Sequence, residues 1–194
     1  NAINKKNFFN FIKSLNRYII TEFIYQHDYA SEISPNSTNT IRILCAYDYE
    51  IGEFFIASAF HRFGFENKLV DNISSGNGML FYIDLKNGCI KKNGLLKRLN
   101  FPFEHINDIY HPTTNKKICD IKIPYWENIK STTLDIVKNI SFIKYIGFDI
   151  VVTNENFKIL ETNSLHSLLT LHGDDEFQNN IKLKNFFKYH KIME

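Results

Sequence analysis

The chain has almost no charge bias: 23 Lys and Arg against 21 Asp and Glu leave a formal charge of +2 over 194 residues. Nucleic-acid binding, which wants a clustered basic face, therefore has no electrostatic support, and each Lys or Arg role must be argued singly. Cysteine is scarce as well. Cys45, Cys89 and Cys119 are odd in number and lack any C-x-x-C spacing, which speaks against a disulfide framework and a zinc knuckle and fits a reducing cytoplasm. No apolar run approaches the roughly 18 residues of a membrane span, and the segment from Asn1 to Lys6 has no signal-peptide core. Internal repeats and low-complexity tracts are absent. The chain also opens without methionine, from which Asn1 is expected to be a cut point within a longer product. What is present is the composition of a folded domain, 44% hydrophobic and 15% aromatic. Residues 1–194 are expected to form one compact unit with a sizeable core.

Periodicity supplies the elements. Phe8, Phe9, Phe11, Ile12 and Leu15 have helical spacing and lead into Tyr18-Ile-Ile-Thr-Glu-Phe-Ile24, whose β-rich composition predicts a strand. Ser31 to Thr38 reads as a loop around Ser34-Pro-Asn-Ser37. Asn39 to Asp48 and Glu53 to Phe63 are apolar strands joined by Tyr49-Glu-Ile-Gly52, an expected antiparallel hairpin. Met79 to Leu85 is a further strand, with Cys89 to Gly94 as a short partner. From Leu95 to Asp120 the pattern is irregular, a long excursion with a short strand near Ile118 to Ile121. Pro124 suits the first turn of a helix with Trp126, Ile129, Leu134, Ile136, Val137 and Ile140 inward. Tyr145 to Thr153 and Phe157 to Thr162 form a second hairpin across Asn154-Glu-Asn156, and Phe177 to Lys191 is a basic, aromatic helix expected to pack over the sheet.

The second hairpin carries the chemistry. Residues two apart on a strand share a face, so Glu161 and Asn163 set a carboxylate beside an amide, with Asp149 on the adjoining strand. Hard oxygen donors of this kind suit magnesium, which takes a few carboxylates and leaves its other positions to water and phosphate; the lack of His and Cys argues against zinc. The plain alternative is a set of ordinary polar residues on the exposed face of a strand pair.

The surrounding string, Ile146-Gly-Phe-Asp-Ile-Val-Val-Thr153 and then Phe157-Lys-Ile-Leu-Glu-Thr-Asn163, resembles the closing hairpin of ATP-grasp enzymes. Tyr18-Ile-Ile-Thr-Glu-Phe-Ile24 is similar to the hinge strand that lies along adenine in that fold. Thr38-Asn-Thr-Ile-Arg-Ile43, His61-Arg-Phe-Gly64, Val70-Asp-Asn-Ile-Ser-Ser-Gly-Asn77, Tyr82-Ile-Asp84 and Ile123-Pro-Tyr-Trp-Glu127 follow in the order of the sugar-transfer-associated ATP-grasp group. The resemblance implies an α+β fold, an antiparallel β-sheet with flanking helices, of which this chain holds the larger, carboxy-terminal part. It also implies ATP and Mg2+ as cofactors, with Asp149, Glu161 and Asn163 as the metal ligands. By the same resemblance Glu22, Phe23 and Ile24 meet adenine through backbone groups, Gln26 meets the ribose, and Arg42, Arg62 and Asn72 serve the reacting groups. The activity implied is an ATP-dependent carboxylate–amine ligase that forms an amide through an acyl phosphate, in cell-surface polysaccharide modification. Its partners would be small-molecule or sugar-linked carboxylates and amines, with no nucleic acid and no membrane span.

Arg42 has physical support of its own, because an arginine inside the apolar string Thr-Ile-Arg-Ile-Leu is costly unless it meets an anion. Several features depart from the family. Asn77 stands where the second glycine of a Gly-Gly pair is expected, and Asn163-Ser-Leu-His-Ser167 replaces a small residue, Pro and Gly, leaving His166 as a loop residue of either role. Nothing matches the family's phosphate-binding lysines; Lys5, Lys6 and Lys13 read as a solvated helix face. The rival functional class is a nucleotide-binding module without turnover, and a third is an interaction domain whose aromatic tail docks a partner.

Overall fold

The computed structural model describes residues 4–18, 20–64, 78–98, 100–107, 110–164, 173–174 and 179–192. Its centre is one seven-stranded sheet, every neighbouring pair antiparallel. The strands are β1 (Ile41–Asp48), β2 (Glu53–Gly64), β3 (Gly78–Ile83), β4 (Ile90–Lys97), β5 (Phe103–Ile106), β6 (Tyr145–Val152) and β7 (Phe157–Asn163), in the order β5-β4-β3-β2-β1-β6-β7. The helices are α1 (Lys5–Ser14), α2 (Asp28–Ile33), α3 (Trp126–Asn139) and α4 (Ile181–Tyr189). This is the expected α+β architecture, an antiparallel sheet with flanking helices.

Both faces of the sheet are apolar, and the alternation along each strand sorts the side chains between them. On one face Ile41, Ile43 and Cys45 of β1 meet Ile146, Phe148, Ile150 and Val152 of β6 beneath Trp126, Ile129 and Val137 of α3. On the other, Leu44, Phe60, Leu80 and Tyr82 are covered by Leu183, Phe186 and Phe187 of α4. Burying one such side chain is worth about 1.5–3 kcal/mol, so the two layers supply the driving force that fixes strand register. Gly88, at φ +75, fits under α3 because a Cβ there would come within 2.5 Å of Trp126 Cγ. Asn180 caps α4 by accepting from Leu183 N.

Five local expectations fail. No ladder forms in the described part of Tyr18 to Ile24: the β-rich side chains there have no neighbouring strand to pair with, and Tyr18, Ile20 and Phe23 lie exposed. Ile118 to Ile121 is not a strand either; isolated bridges join Cys89 to Lys122 and Tyr110 to Lys117 around it. The segment read as loop begins inside α2, and the irregular excursion contains β5, paired on the sheet's edge with β4. Pro124 precedes α3, whose N-cap is Tyr125 in the left-handed region at φ 60. No described helix is long and apolar enough to cross a membrane.

Candidate functional site

The register of the three adjoining strands brings the charged residues together. Arg42 of β1 lies directly opposite Asp149 of β6, and Arg62 of β2 donates its backbone N–H to Thr40 just before β1. Arg42 Nε donates to Asp149 Oδ1, and its Nη2 donates to Oδ2 at 2.6 Å. Arg62 Nη2 reaches the same Oδ2 at 3.0 Å, while its Nε donates to Thr40 Oγ1 at 2.9 Å. This is the fork geometry in which guanidinium binds best to a carboxylate. The arginines are 11% exposed at the side chain and Asp149 5%, so the cluster is nearly dry. Burial pushes the Asp149 carboxyl up, but the Arg42 hydrogen bonds and the charges of both arginines outweigh it and hold the group below the ordinary carboxylate range. Gly147 makes room for the Arg42 stem, since a Cβ there would sit 3.1 Å from Arg42 Cδ.

Glu161 and Asn163 reach this face through an irregularity. Phe157 and Ile159 of β7 turn toward the α3 core, opposite Val152 and Ile150. Strict alternation would put Glu161 on that same core side. The ladder shifts between Ile159 and Glu161, leaving Leu160 as an extra residue, and Glu161 then stands opposite Asp149 with Asn163 opposite Gly147. Asn163 Nδ2 donates to Glu161 Oε1 at 3.1 Å, which spends the donor side of the amide within the site and leaves its carbonyl oxygen as the acceptor side. Two carboxylates and an amide oxygen form a hard-donor set of the kind magnesium takes, with waters and phosphates for its other positions, so the residues fit that ion in donor type.

The proposed hinge residues Glu22, Phe23 and Ile24 line an open cleft of about 300 Å³ whose other wall is Thr153, Asn154, Glu155 and Lys158 at the β6–β7 turn. Lys158 pairs with Glu22 across it, and that contact holds the Glu22 carboxyl below its usual range. Phe23 and Tyr25 stack edge to face at 5.0 Å with both rings mostly exposed. His27 N donates to Val152 O at 2.7 Å, and Asp28 and Asn154 exchange hydrogen bonds, fixing this segment to the end of β6. Gln26 also borders the cleft, yet its side-chain amide is engaged inside the protein, with Ser34, Ser37 and Asn39.

Arg42, Arg62, Asp149, Glu161 and Asn163 thus share one sheet face, with the cleft at its margin; Asn72 and His166, along with Gly76 and Asn77, lie outside the described residues. Sequence reasoning missed Thr40, Gly147 and Lys158. A glycine inside an apolar strand is a signal of close approach, here by Arg42, and was available in Ile146-Gly-Phe-Asp. Thr40 and Lys158 left no comparable mark, since their roles depend on register.

A family model described as sugar-transfer associated ATP-grasp matches residues 5–179 of the chain. Neither the curated proteins nor the solved structures contain a match.

Proposed function

This chain belongs to the sugar-transfer associated ATP-grasp family, and from that membership and the charged cluster we propose that it is an ATP-dependent carboxylate–amine ligase acting in cell-surface polysaccharide modification. The observation that carries the reading is the set of Arg42, Arg62, Asp149, Glu161 and Asn163 on one sheet face beside the Glu22–Ile24 cleft. In this reading the cleft takes the base, and Asp149, Glu161 and Asn163 hold Mg2+. When bound, the ion neutralises phosphate charge and orients the oxygens in transfer.

The chain's own residues do the rest by placement. The two arginines balance Asp149 and Glu161, so one divalent cation would turn a nearly neutral face into one carrying about two positive charges, suited to a polyphosphate. Asp149 accepts three hydrogen bonds from the arginines, leaving about one acceptor direction of the roughly four on a carboxylate for a metal. Arg42 and Arg62 are held by Asp149 and Thr40 in a near-dry setting, where fixed cations stabilise developing phosphoryl charge without reorganising. The carboxylate substrate attacks the γ-phosphorus and ADP leaves. The amine nitrogen then attacks the acyl carbon, phosphate departs, and the nitrogen loses a proton.

Thermal unfolding with and without Mg-ATP tests the binding half of this proposal. A saturating ligand should raise the midpoint, and Glu161→Ala with Asn163→Ala should remove the effect. No shift in the wild-type protein would sink the nucleotide reading. ADP release that requires a carboxylate and an amine together tests the ligase half; nucleotide binding without such release would instead favour the non-catalytic binding module.

A further inference from the structure

Two amides, half-buried Gln26 and buried Asn39, join the cleft to the arginines. Asn39 is 2% exposed and immediately precedes Thr40, the hydroxyl partner of Arg62. Gln26 Oε1 accepts from Asn39 N at 2.8 Å and from Asn39 Nδ2 at 3.0 Å. Its Nε2 donates to Ser37 O at 2.8 Å and to Ser34 O at 3.2 Å. On its other side Asn39 Oδ1 accepts from Ser37 Oγ at 2.7 Å and from Gly64 N at 3.2 Å. Backbone N–H groups only donate, so these bonds fix which way both amides face.

The connectivity is more telling than any single bond. Gln26 belongs to the segment that forms one wall of the cleft, Asn39 leads into the strand of Arg42, and Gly64 ends the strand of Arg62. Gly64 O is held in turn by Ser34 Oγ at 2.6 Å and lies 2.9 Å from His111 Nε2. A solid apolar filling would exclude water from this junction equally well, but only a satisfied polar network dictates a unique spacing between the elements that meet there.

We propose that Gln26 and Asn39 are positioning residues that lock the cleft to the Arg42–Arg62–Asp149 cluster, so that the two ends of a nucleotide bind across one rigid span. The inference rests on the nucleotide reading above, and it gives Gln26 a task inside the protein in place of a ribose contact. A ligand that bridges two sites gains from their fixed separation, whereas a fragment filling either site alone gains nothing from it.

Three probes test this on the full chain by ligand-observed NMR titration: Mg-ATP, adenosine, and magnesium tripolyphosphate. In Asn39→Ala, Mg-ATP affinity should fall about tenfold or more while either fragment changes by about twofold at most. Gln26→Met keeps the bulk of the side chain without its polar atoms, and supplies the same comparison should Asn39→Ala fail to fold. Equal weakening of all three probes, or unchanged Mg-ATP affinity in a folded variant, overturns the proposal. Failure of the wild-type protein to bind any of the three instead rejects the nucleotide reading on which it stands.

Discussion

Arg42 and Asp149 are partners twice over, opposite one another in the β1–β6 ladder and joined by a two-pronged ion pair. Arg62 leans on the same carboxylate from the next strand. Removing Asp149 therefore strands two nearly buried guanidiniums, and Asp149→Ala should cost about 3–5 kcal/mol in urea unfolding at neutral pH. Replacing all three by apolar residues of similar volume, Arg42→Met, Arg62→Met and Asp149→Leu together, should recover most of that loss. A triple variant no more stable than Asp149→Ala would contradict the account. Because the folded carboxyl titrates below its unfolded value, the stabilisation is complete above about pH 4 and disappears as pH falls through the lower, folded value.

His61 sets a different acid limit. Burial drives its ring pKa down to about 3, with the Arg62 carbonyl opposing the shift and the Arg62 charge adding to it. The carbonyl, 3.0 Å from Nδ1, can only accept, so Nδ1 carries the proton and Nε2 accepts from Tyr29 Oη at 2.8 Å. The unfolded ring takes up a proton near pH 6.5 and the folded one does not, so stability is full above that value and declines as pH drops toward 3. Between pH 7 and pH 5 this one residue should remove about 2 kcal/mol. Buried His111, also shifted down by desolvation, acts in the same direction. Equilibrium unfolding across that range should show a shallower pH slope in His61→Gln than in the wild-type protein.

Lys158 offers a cleaner separation of binding from folding. Its pair with Glu22 is mostly exposed, and such pairs add little to stability because water and salt screen them. Lys158→Ala should leave the melting temperature of the unligated protein almost unchanged while reducing the rise produced by Mg-ATP. An undiminished rise would show that this wall of the cleft does not meet the nucleotide.

Much of this organisation was legible in the sequence because both hairpins advertise themselves: the apolar runs around Arg42, His61 and Asp149 are long, the turn Tyr49 to Gly52 closes on a glycine, and the turn Asn154 to Asn156 is polar. Where sequence reasoning failed, the deciding partner lay far along the chain. Tyr18 to Ile24 has β composition but no ladder in its described part, and β5 exists by virtue of pairing with β4. Local spacing placed Glu161 and Asn163 side by side. That they stand on the face of Asp149, and not in the core with Ile159, depends on the register shift at Leu160, which alternation read from the sequence misses. Gln26 is similar: nothing near it in sequence announces that its amide is engaged by Asn39.

The register shift yields the least intuitive prediction. Shifting a regular strand by one residue reverses the face of every side chain beyond the change, so deleting a residue next to the two proposed metal ligands would ordinarily destroy their site. Leu160, however, is the surplus residue of the bulge and is 44% exposed. Without it Ile159 would remain opposite Ile150, Glu161 opposite Asp149 and Asn163 opposite Gly147, now in unbroken alternation. The Leu160 deletion should therefore fold with a stability within about 1 kcal/mol of wild type, since it buries little and removes an irregularity. It should also keep its Mg-ATP-dependent rise in melting temperature. Loss of that rise in a folded deletion variant would mean that the bulge itself, through the local twist it adds, is needed to bring the carboxylates into coordinating range.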